Sequence, residues 1–343
     1  MKKVIITGVT GQDGSHMADY LLANTDYQIL GAVRRLSVSN HRNIAHISNP
    51  RFKLIDLDIS DPESINTAII NYKPDYFINF AANSFVGTSW EMPVNHMQTN
   101  CMAVLYQLEA IRKFLPKCKY YNAGSSEEFG DVAFIPQTEA HPLRPRSPYG
   151  ASKASARQIV KVWRDSYDLY AVQGWLFNHE GTRRGTEFVT RKITKGVAKI
   201  KKAIDSQNFI EAIKLGNLES KRDWSDAEDF VHGVWLMLNQ EKPKDYVLSS
   251  NESHTVREFV ELSFAAAGIE GQWLGQKGTI EEVFINKDSR LPMVMIDPKL
   301  FRPAEVDLLL GDSTLARSEL GWQPKTSFFQ LVKKMTNNDL QYE

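Results

Sequence analysis

Val4-Ile5-Ile6-Thr7-Gly8-Val9-Thr10-Gly11-Gln12-Asp13-Gly14 is the stretch from which the fold can be read. Its first three residues are a short apolar run, the pattern of a strand buried on both faces of a parallel sheet. Gly8, Gly11 and Gly14 follow at G-x-x-G-x-x-G spacing, and residues 15–22 are helical in pattern. Strand, glycine-rich turn and helix, in that order, make a dinucleotide-binding unit. The glycines let the backbone approach a pyrophosphate, and the helix N-terminus offers free N–H groups to the anion. A tight turn with no ligand is the competing reading, and the flanking strand and helix disfavour it.

Further along, strand-like runs recur at 29–33, 53–55, 76–80, 120–122 and 171–177, with helical patterns at 65–72, 104–114 and 151–167 between them. This alternation predicts an α/β, Rossmann-type, doubly wound parallel sheet with ligands beyond the carboxyl ends of its strands. After residue 177 the pattern breaks. Residues 178–192 are polar and read as a loop, and 193–205 as a Lys-rich amphipathic helix with a solvated face. A helix and a strand at 246–248 return the chain to the first unit; 255–268 is helical, and 298–335 holds a Pro-bounded loop and a last helix. We therefore expect a dinucleotide-binding domain of residues 1–177 plus 225–250. A smaller, discontinuous C-terminal lobe of 178–224 plus 251–343 is expected to bind substrate.

Composition bounds the function. A chain of 343 residues, 42% hydrophobic, supports an ordinary globular core. Its formal net charge of zero gives no reason to expect nucleic-acid binding. No apolar run reaches the ~18 residues of a membrane span, and Met1-Lys2-Lys3 precedes too short an apolar run for a signal peptide. Cys101 and Cys118 do not form a disulfide framework, which suits a reducing cytoplasm. The eight histidines lack metal-ligand spacing, so no metal is expected.

Several residues suggest chemistry. Arg34-Arg35 ends the second strand, where an acidic residue suits NAD and an arginine suits the extra phosphate of NADP; a solvated surface pair is the alternative. Asp58-Ile59 follows a strand end where an adenine could rest. The small residues Ala81 and Ala82 follow another strand end and leave room for a cofactor. Gly124-Ser125-Ser126-Glu127 sets a hydroxyl and a carboxylate beside the same pocket, or simply starts a helix. Tyr149 and Lys153 are four residues apart and share a helix face. A phenol with a pKa of roughly 10 is a poor base, and a nearby ammonium favours the phenolate.

Together these residues resemble the extended short-chain dehydrogenase/reductase family, and within it the GDP-mannose 4,6-dehydratases. Further blocks bear the likeness: Pro145-Arg146-Ser147-Pro148-Tyr149, Phe177-Asn178-His179-Glu180, Phe188-Val189-Thr190-Arg191-Lys192-Ile193, Leu215-Gly216-Asn217-Leu218, Lys221-Arg222-Asp223-Trp224 and Arg302-Pro303-Ala304-Glu305. The resemblance implies Ser125, Glu127, Tyr149 and Lys153 as catalytic residues. It implies NADP contacts from Gly8, Thr10, Gly11, Gln12, Asp13, Gly14, Arg34, Arg35, Asp58, Ile59, Ala81, Ala82, His179 and Arg184, besides Tyr149 and Lys153. It implies GDP-sugar contacts from Ser84, Ser125, Asn178, Val189, Lys192, Leu215, Asn217, Arg222, Arg302 and Glu305, and a homo-oligomer, dimer or tetramer.

The chain departs from the family pattern in places. Ser125 stands where the family has threonine, Glu128 where it has an apolar residue, and Ala82-Asn83-Ser84-Phe85-Val86-Gly87-Thr88-Ser89-Trp90, a stretch expected to border the sugar, where it has a Gln-Ser-His-Val pattern. GDP-mannose and a GDP-manno-heptose both stay open as substrates. A GDP-sugar reductase or epimerase is the rival activity within the fold.

Overall fold

The computed structural model describes residues 1–300 and 309–342. Strands β1 (Lys3–Thr7), β2 (Gln28–Val33), β3 (Phe52–Asp56), β4 (Tyr76–Asn79), β5 (Lys119–Ala123) and β6 (Ala171–Leu176) pair in parallel. Helices α1 (Gln12–Asn24), α2 (Pro62–Tyr72), α3 (Pro93–Met97), α4 (Ala103–Phe114) and α5 (Pro148–Tyr167) lie between them in the chain. The seven-stranded sheet runs β11-β6-β5-β4-β1-β2-β3, with β11 supplied later by Val247–Leu248. The order reverses between β1 and β4, which opens the crevice where such sheets hold ligands.

Local chemistry sets the helix ends. Asp61 caps α2 by accepting the Glu63 N–H at 3.0 Å, with Pro62 in the first turn. Ser147 caps α5 in the same way through Gly150 N–H at 3.0 Å, so α5 starts at Pro148 and Tyr149 lies in its first turn. α1 starts at Gln12, three residues before the helical pattern is visible, because Gly11 is its N-cap.

The sheet buries an apolar layer on each face. Ile6, Met17, Leu21 and Val234 meet on one side, and Ile5, Phe77, Val104 and Ile111 on the other. Ile5 is fully buried; truncating such a side chain to alanine costs about 2–5 kcal/mol.

The rest of the chain holds β7 (Asn178–Glu180), α6 (Val189–Asp205), β8 (Ile213–Leu215), β9 (Lys221–Arg222), β10 (Trp224–Asp226) and α7 (Ala227–Leu238). After β11 come β12 (His254–Thr255), α8 (Val256–Ala266), β13 (Gly271–Leu274), β14 (Val283–Asn286), β15 (Pro292–Ile296), α9 (Thr314–Leu320) and α10 (Phe328–Tyr342). A four-stranded sheet, β13-β14-β15-β8, packs with α6, α8 and α10 around Phe259, Phe264, Val294 and Leu331. Ala316, Leu320 and Trp322 pack instead in the first core.

One expectation is corrected here. Residues 178–192 are not all loop: 178–180 pair in parallel with β10, and α6 begins at Val189 behind Phe188. The four-stranded sheet has strands too short to show alternation in sequence.

Candidate active site

Beyond the carboxyl ends of the parallel strands lies a cavity of about 1530 Å³. Every described residue given above as a cofactor, substrate or catalytic position lines it; Arg302 and Glu305 lie outside the described residues.

The glycine turn forms its floor. Gly8 has a φ of +68°, and a β-carbon there would lie 2.8 Å from the Ala81 nitrogen. A β-carbon at Gly14 would lie 2.3 Å from the Gly8 carbonyl oxygen. Side chains are therefore excluded from the turn, and α1 has no side-chain cap over its first N–H groups. That bare cradle fits a dinucleotide pyrophosphate. Asp13 in the first turn accepts from His179 Nε2 at 2.9 Å and Gln12 Nε2 at 3.1 Å. His179 Nδ1 meets the Phe177 carbonyl at 2.7 Å. Both partners are acceptors, an arrangement that favours the protonated ring. Burial pushes its pKa down, but the charge and hydrogen bond of Asp13 leave it above the usual value. Asp13 is in turn held well below the carboxylate range: burial opposes this, and His179, Gln12 and Arg184 override it. The knot ties the turn to β7.

Arg34 and Arg35 lie exposed at the end of β2. Asp58, past β3, accepts from Ser60 N–H at 2.9 Å and Ser60 Oγ at 2.6 Å. Its carboxylate therefore shapes that turn, while Asp61 does the helix capping.

The catalytic candidates converge on the cavity. Ser125 opens a short helical turn, Ser126–Glu128: its Oγ accepts the Glu127 N–H at 3.2 Å and its own N–H donates to Glu128 Oε1 at 2.8 Å. The Ser125 hydroxyl acts to lower the Tyr149 pKa. Lys153 Nζ donates to the Ala123 carbonyl at 2.8 Å and lies 5.9 Å from the Tyr149 ring centre.

Burial works against the phenolate that the Tyr149–Lys153 spacing suggests. Burial dominates and drives the Tyr149 pKa up, reinforced by the charges of Glu127 and Glu128 and offset only in part by Ser125 and Arg184. Burial also lowers Lys153 to about 8, against the pull of Glu128 and Asp13. Burial therefore favours the protonated phenol.

On the facing wall, Asn178, Val189, Lys192, Leu215, Asn217 and Arg222 line the cavity from β7, α6, β8 and β9. Burial, helped by Lys214, lowers the Lys192 pKa, and Asp297 opposes it. Asp223 accepts from the Ser250 N–H at 2.8 Å, the Ser250 hydroxyl at 2.6 Å, Asn251 N–H at 3.2 Å and Gly311 N–H at 3.3 Å. It is a loop staple, and Trp224 stacks on Phe328. Arg184 pairs with Glu180 at 3.0 Å and lies over the Phe188 ring.

Sequence reading missed part of the wall. Met92, Asn95, Gln98 and Thr99 line the cavity beside Ser84, Phe85 and Trp90 of the stretch expected to border the sugar. They come from α3, the residues just before it and the wide π-turn Gln98–Met102 that follows it. In that turn Asn100 donates to the Asn83 carbonyl at 3.0 Å and to Ser152 Oγ at 3.2 Å, joining the wall to α5. Nothing in the apolar pattern of 93–102 announces such a turn. Among the described residues no group of three or more His, Cys, Asp or Glu could hold a metal, and no helix is long and apolar enough to cross a membrane.

A doubly wound sheet with a glycine cradle, and a Tyr and Lys one turn apart on α5, defines an extended short-chain dehydrogenase/reductase. Two solved structures have this fold. The dTDP-glucose 4,6-dehydratase of Bacillus anthracis in complex with NAD superposes with TM-score 0.81 at 20% identity, over 100% of this chain and 98% of that one. RMD of Pseudomonas aeruginosa complexed with NADPH superposes with TM-score 0.77 at 20% identity, over 100% of both chains. The family model for GDP-mannose 4,6 dehydratase matches residues 5–335. The Drosophila melanogaster protein of that name is 42% identical over 99% of this chain and 86% of its own length. The chain belongs to the GDP-mannose 4,6-dehydratase family.

Proposed function

We propose that the protein is a hydro-lyase that converts GDP-mannose to GDP-4-keto-6-deoxymannose and water, with NADP as a cofactor that is restored at the end of each turnover. The observation that supports it most is the meeting of Glu127 and Tyr149 at one cavity wall, since a plain alcohol oxidation has no need of the carboxylate. The glycine cradle fits the dinucleotide, and Arg34 and Arg35 suit a 2′-phosphate better than a ribose hydroxyl. When bound, the nicotinamide supplies a hydride acceptor and donor.

The reaction has no net redox change, but the carbon 5 proton becomes acidic only while carbon 4 is a ketone. Tyr149 removes the proton of the 4-hydroxyl. Its resting phenol must become a phenolate for this step, and Lys153 stabilises that charge from the next turn of α5. Ser125 holds the 4-oxygen in register. Glu127 takes the carbon 5 proton and delivers it to the departing carbon 6 hydroxyl, which leaves as water; Tyr149 returns the 4-hydroxyl proton to carbon 5 as carbon 6 is reduced, so the turnover closes with no net change on the protein. On the opposite wall Arg222 and Lys192 suit the diphosphate, and Asn178, Val189, Leu215 and Asn217 the nucleoside. Arg302 and Glu305 are assigned with them by resemblance alone.

Two buried free cysteines suit a reducing cytoplasm. Exposed Phe114, Val162 and Tyr167 on α4 and α5 suit a homo-oligomer, dimer or tetramer. The separate core of α6, α8, α10 and the four-stranded sheet suits the substrate domain expected above, while Ala316, Leu320 and Trp322 go with the dinucleotide side.

The test is Glu127→Gln, with product followed by the chromophore that 4-keto sugars give in alkali. Keto-deoxy sugar formed at the parent rate refutes the elimination role. Mass spectrometry of parent protein incubated with GDP-mannose, GDP-manno-heptose and other GDP-sugars identifies the substrate by loss of one water, and separates dehydratase from reductase or epimerase.

A further inference from the structure

A chain of side-chain hydrogen bonds crosses the sheet beneath the site. Thr7 Oγ1 donates to Asn79 Oδ1 at 2.5 Å, and Asn79 Nδ2 to Asn122 Oδ1 at 2.8 Å. Asn122 Nδ2 donates to Gln173 Oε1 at 2.7 Å, and Gln173 Nε2 to Glu128 Oε1 at 3.0 Å. The members stand on β1, β4, β5 and β6 and in the Ser126–Glu128 turn, and all five are buried. Every bond points the same way, toward the carboxylate, so each donor polarises the next.

Glu128 ends the chain at 0% exposure. Arg157 on α5 neutralises it, Nε to Oε2 at 2.5 Å, and lies over the Trp175 ring. Arg157 also donates to the carbonyls of Gln173 at 2.7 Å and Gly174 at 3.1 Å, with Asp245 at 3.5 Å. A β-carbon at Gly124 would lie 2.7 Å from both Glu128 Oε1 and Arg157 Nη2. The strand end that leads to Ser125 is thus packed directly on the ion pair. The pair is a departure from the family pattern, which has an apolar residue at this position.

A buried carboxylate with so many donors has one outlet toward the site: Glu128 Oε1 accepts the Ser125 N–H. That bond, with the Ser125 Oγ bond to the Glu127 N–H, sets the turn bearing both residues. Gln173 Nε2 also reaches the Lys153 carbonyl at 3.2 Å. We propose that Glu128, held by Arg157 and Gln173, is a positioning residue that fixes Ser125 and Glu127 in register with Tyr149. The inference rests on the dehydratase reading above.

The test compares E128Q with E128M. Both remove the charge, and both leave Arg157 its carbonyls and Asp245. Only E128Q keeps an oxygen that can accept the Ser125 N–H. With GDP-mannose, E128Q is expected to keep kcat within about threefold of the parent, and E128M to lose on the order of 10²-fold, the cost of displacing a reacting group by about 1 Å. KM is expected to stay within about twofold in both, because the diphosphate and nucleoside contacts proposed on the facing wall are not touched. Equal kcat in the two variants, high or low, overturns the proposal, as does a loss that appears in KM alone. If E128M does not fold, the comparison is made between E128Q/R157M and E128M/R157M, which bury no unpaired guanidinium. A parent enzyme that never dehydrates a GDP-sugar refutes the underlying reading instead, and the inference with it.

Discussion

Gly150 and Glu127 are packed backbone to backbone: a β-carbon at Gly150 would lie 2.6 Å from the Glu127 carbonyl oxygen. This contact brings the carboxylate turn against the first turn of α5, one residue from Tyr149. The glycine is there for close approach, and its backbone is ordinary helix. Gly150→Ala must push the two turns apart. We expect kcat to fall on the order of 10²-fold while NADPH affinity, measured by fluorescence titration, changes little, because the glycine cradle is on α1. An unaltered kcat would show that the spacing of the turns does not matter.

The Asp13–His179 pair gives stability a definite pH window. His179 has a folded pKa above its ordinary 6.5, so its contribution is complete below 6.5 and is lost as pH rises through the raised value. Asp13 is depressed below its ordinary 3.8, so its contribution is complete above 3.8 and is lost as pH falls through the depressed value. The pair therefore stabilises the fold most between about pH 4 and 6.5. Urea melts of parent and His179→Gln at pH 6 and pH 8.5 should show the parent's advantage shrinking at the higher pH. A constant difference would mean that His179 keeps one protonation state across that range.

The fold was legible where one residue pattern had one cause. The apolar run at Val4 and the glycine spacing after it require a buried strand and a close turn, and β1 and α1 form them. The β4 and β5 strands were equally readable because both faces are buried. The site was legible as single residues, not as their couplings. Glu128 looked like a local departure because Arg157, its partner, is 29 residues away in sequence. Tyr149 and Lys153 showed their helix spacing but not their burial, and burial controls their protonation. Asn95 and Thr99 were hidden because a π-turn shifts the helical register that a periodic pattern assumes.

Cofactor choice is expected to depend on the end of β2. Arg34 and Arg35 are solvent-exposed and line the cavity past Val33, where β2 ends. Forked donors there recognise a phosphate and gain little from a ribose hydroxyl. Replacing both arginines with alanine is expected to weaken NADP binding about 10- to 100-fold, the cost of removing one or two charge-assisted hydrogen bonds, and to leave NAD binding within about threefold. Isothermal titration with each dinucleotide decides it; equal weakening for both would assign the arginines to a general electrostatic role.

Lys153 should pull activity and stability in opposite directions with pH. Burial lowers its pKa from an ordinary 10.5 to about 8. Its ammonium assists Tyr149 only while protonated, so kcat/KM is expected to fall above about pH 8. Between about 8 and 10.5 the unfolded chain binds more protons at this residue than the folded one, so the stability of the parent relative to Lys153→Met rises with pH across that interval. Lys153→Met is expected to lose about 10²- to 10⁴-fold in kcat and to lack the alkaline limb that belongs to this group. Thermal melts and rate profiles on the same samples test both halves. A parent whose stability relative to the variant stays flat above pH 8 would place the Lys153 pKa near its ordinary value. The alkaline fall in rate would then have to come from another group, with Tyr149, its phenol pushed up by burial, the first to examine.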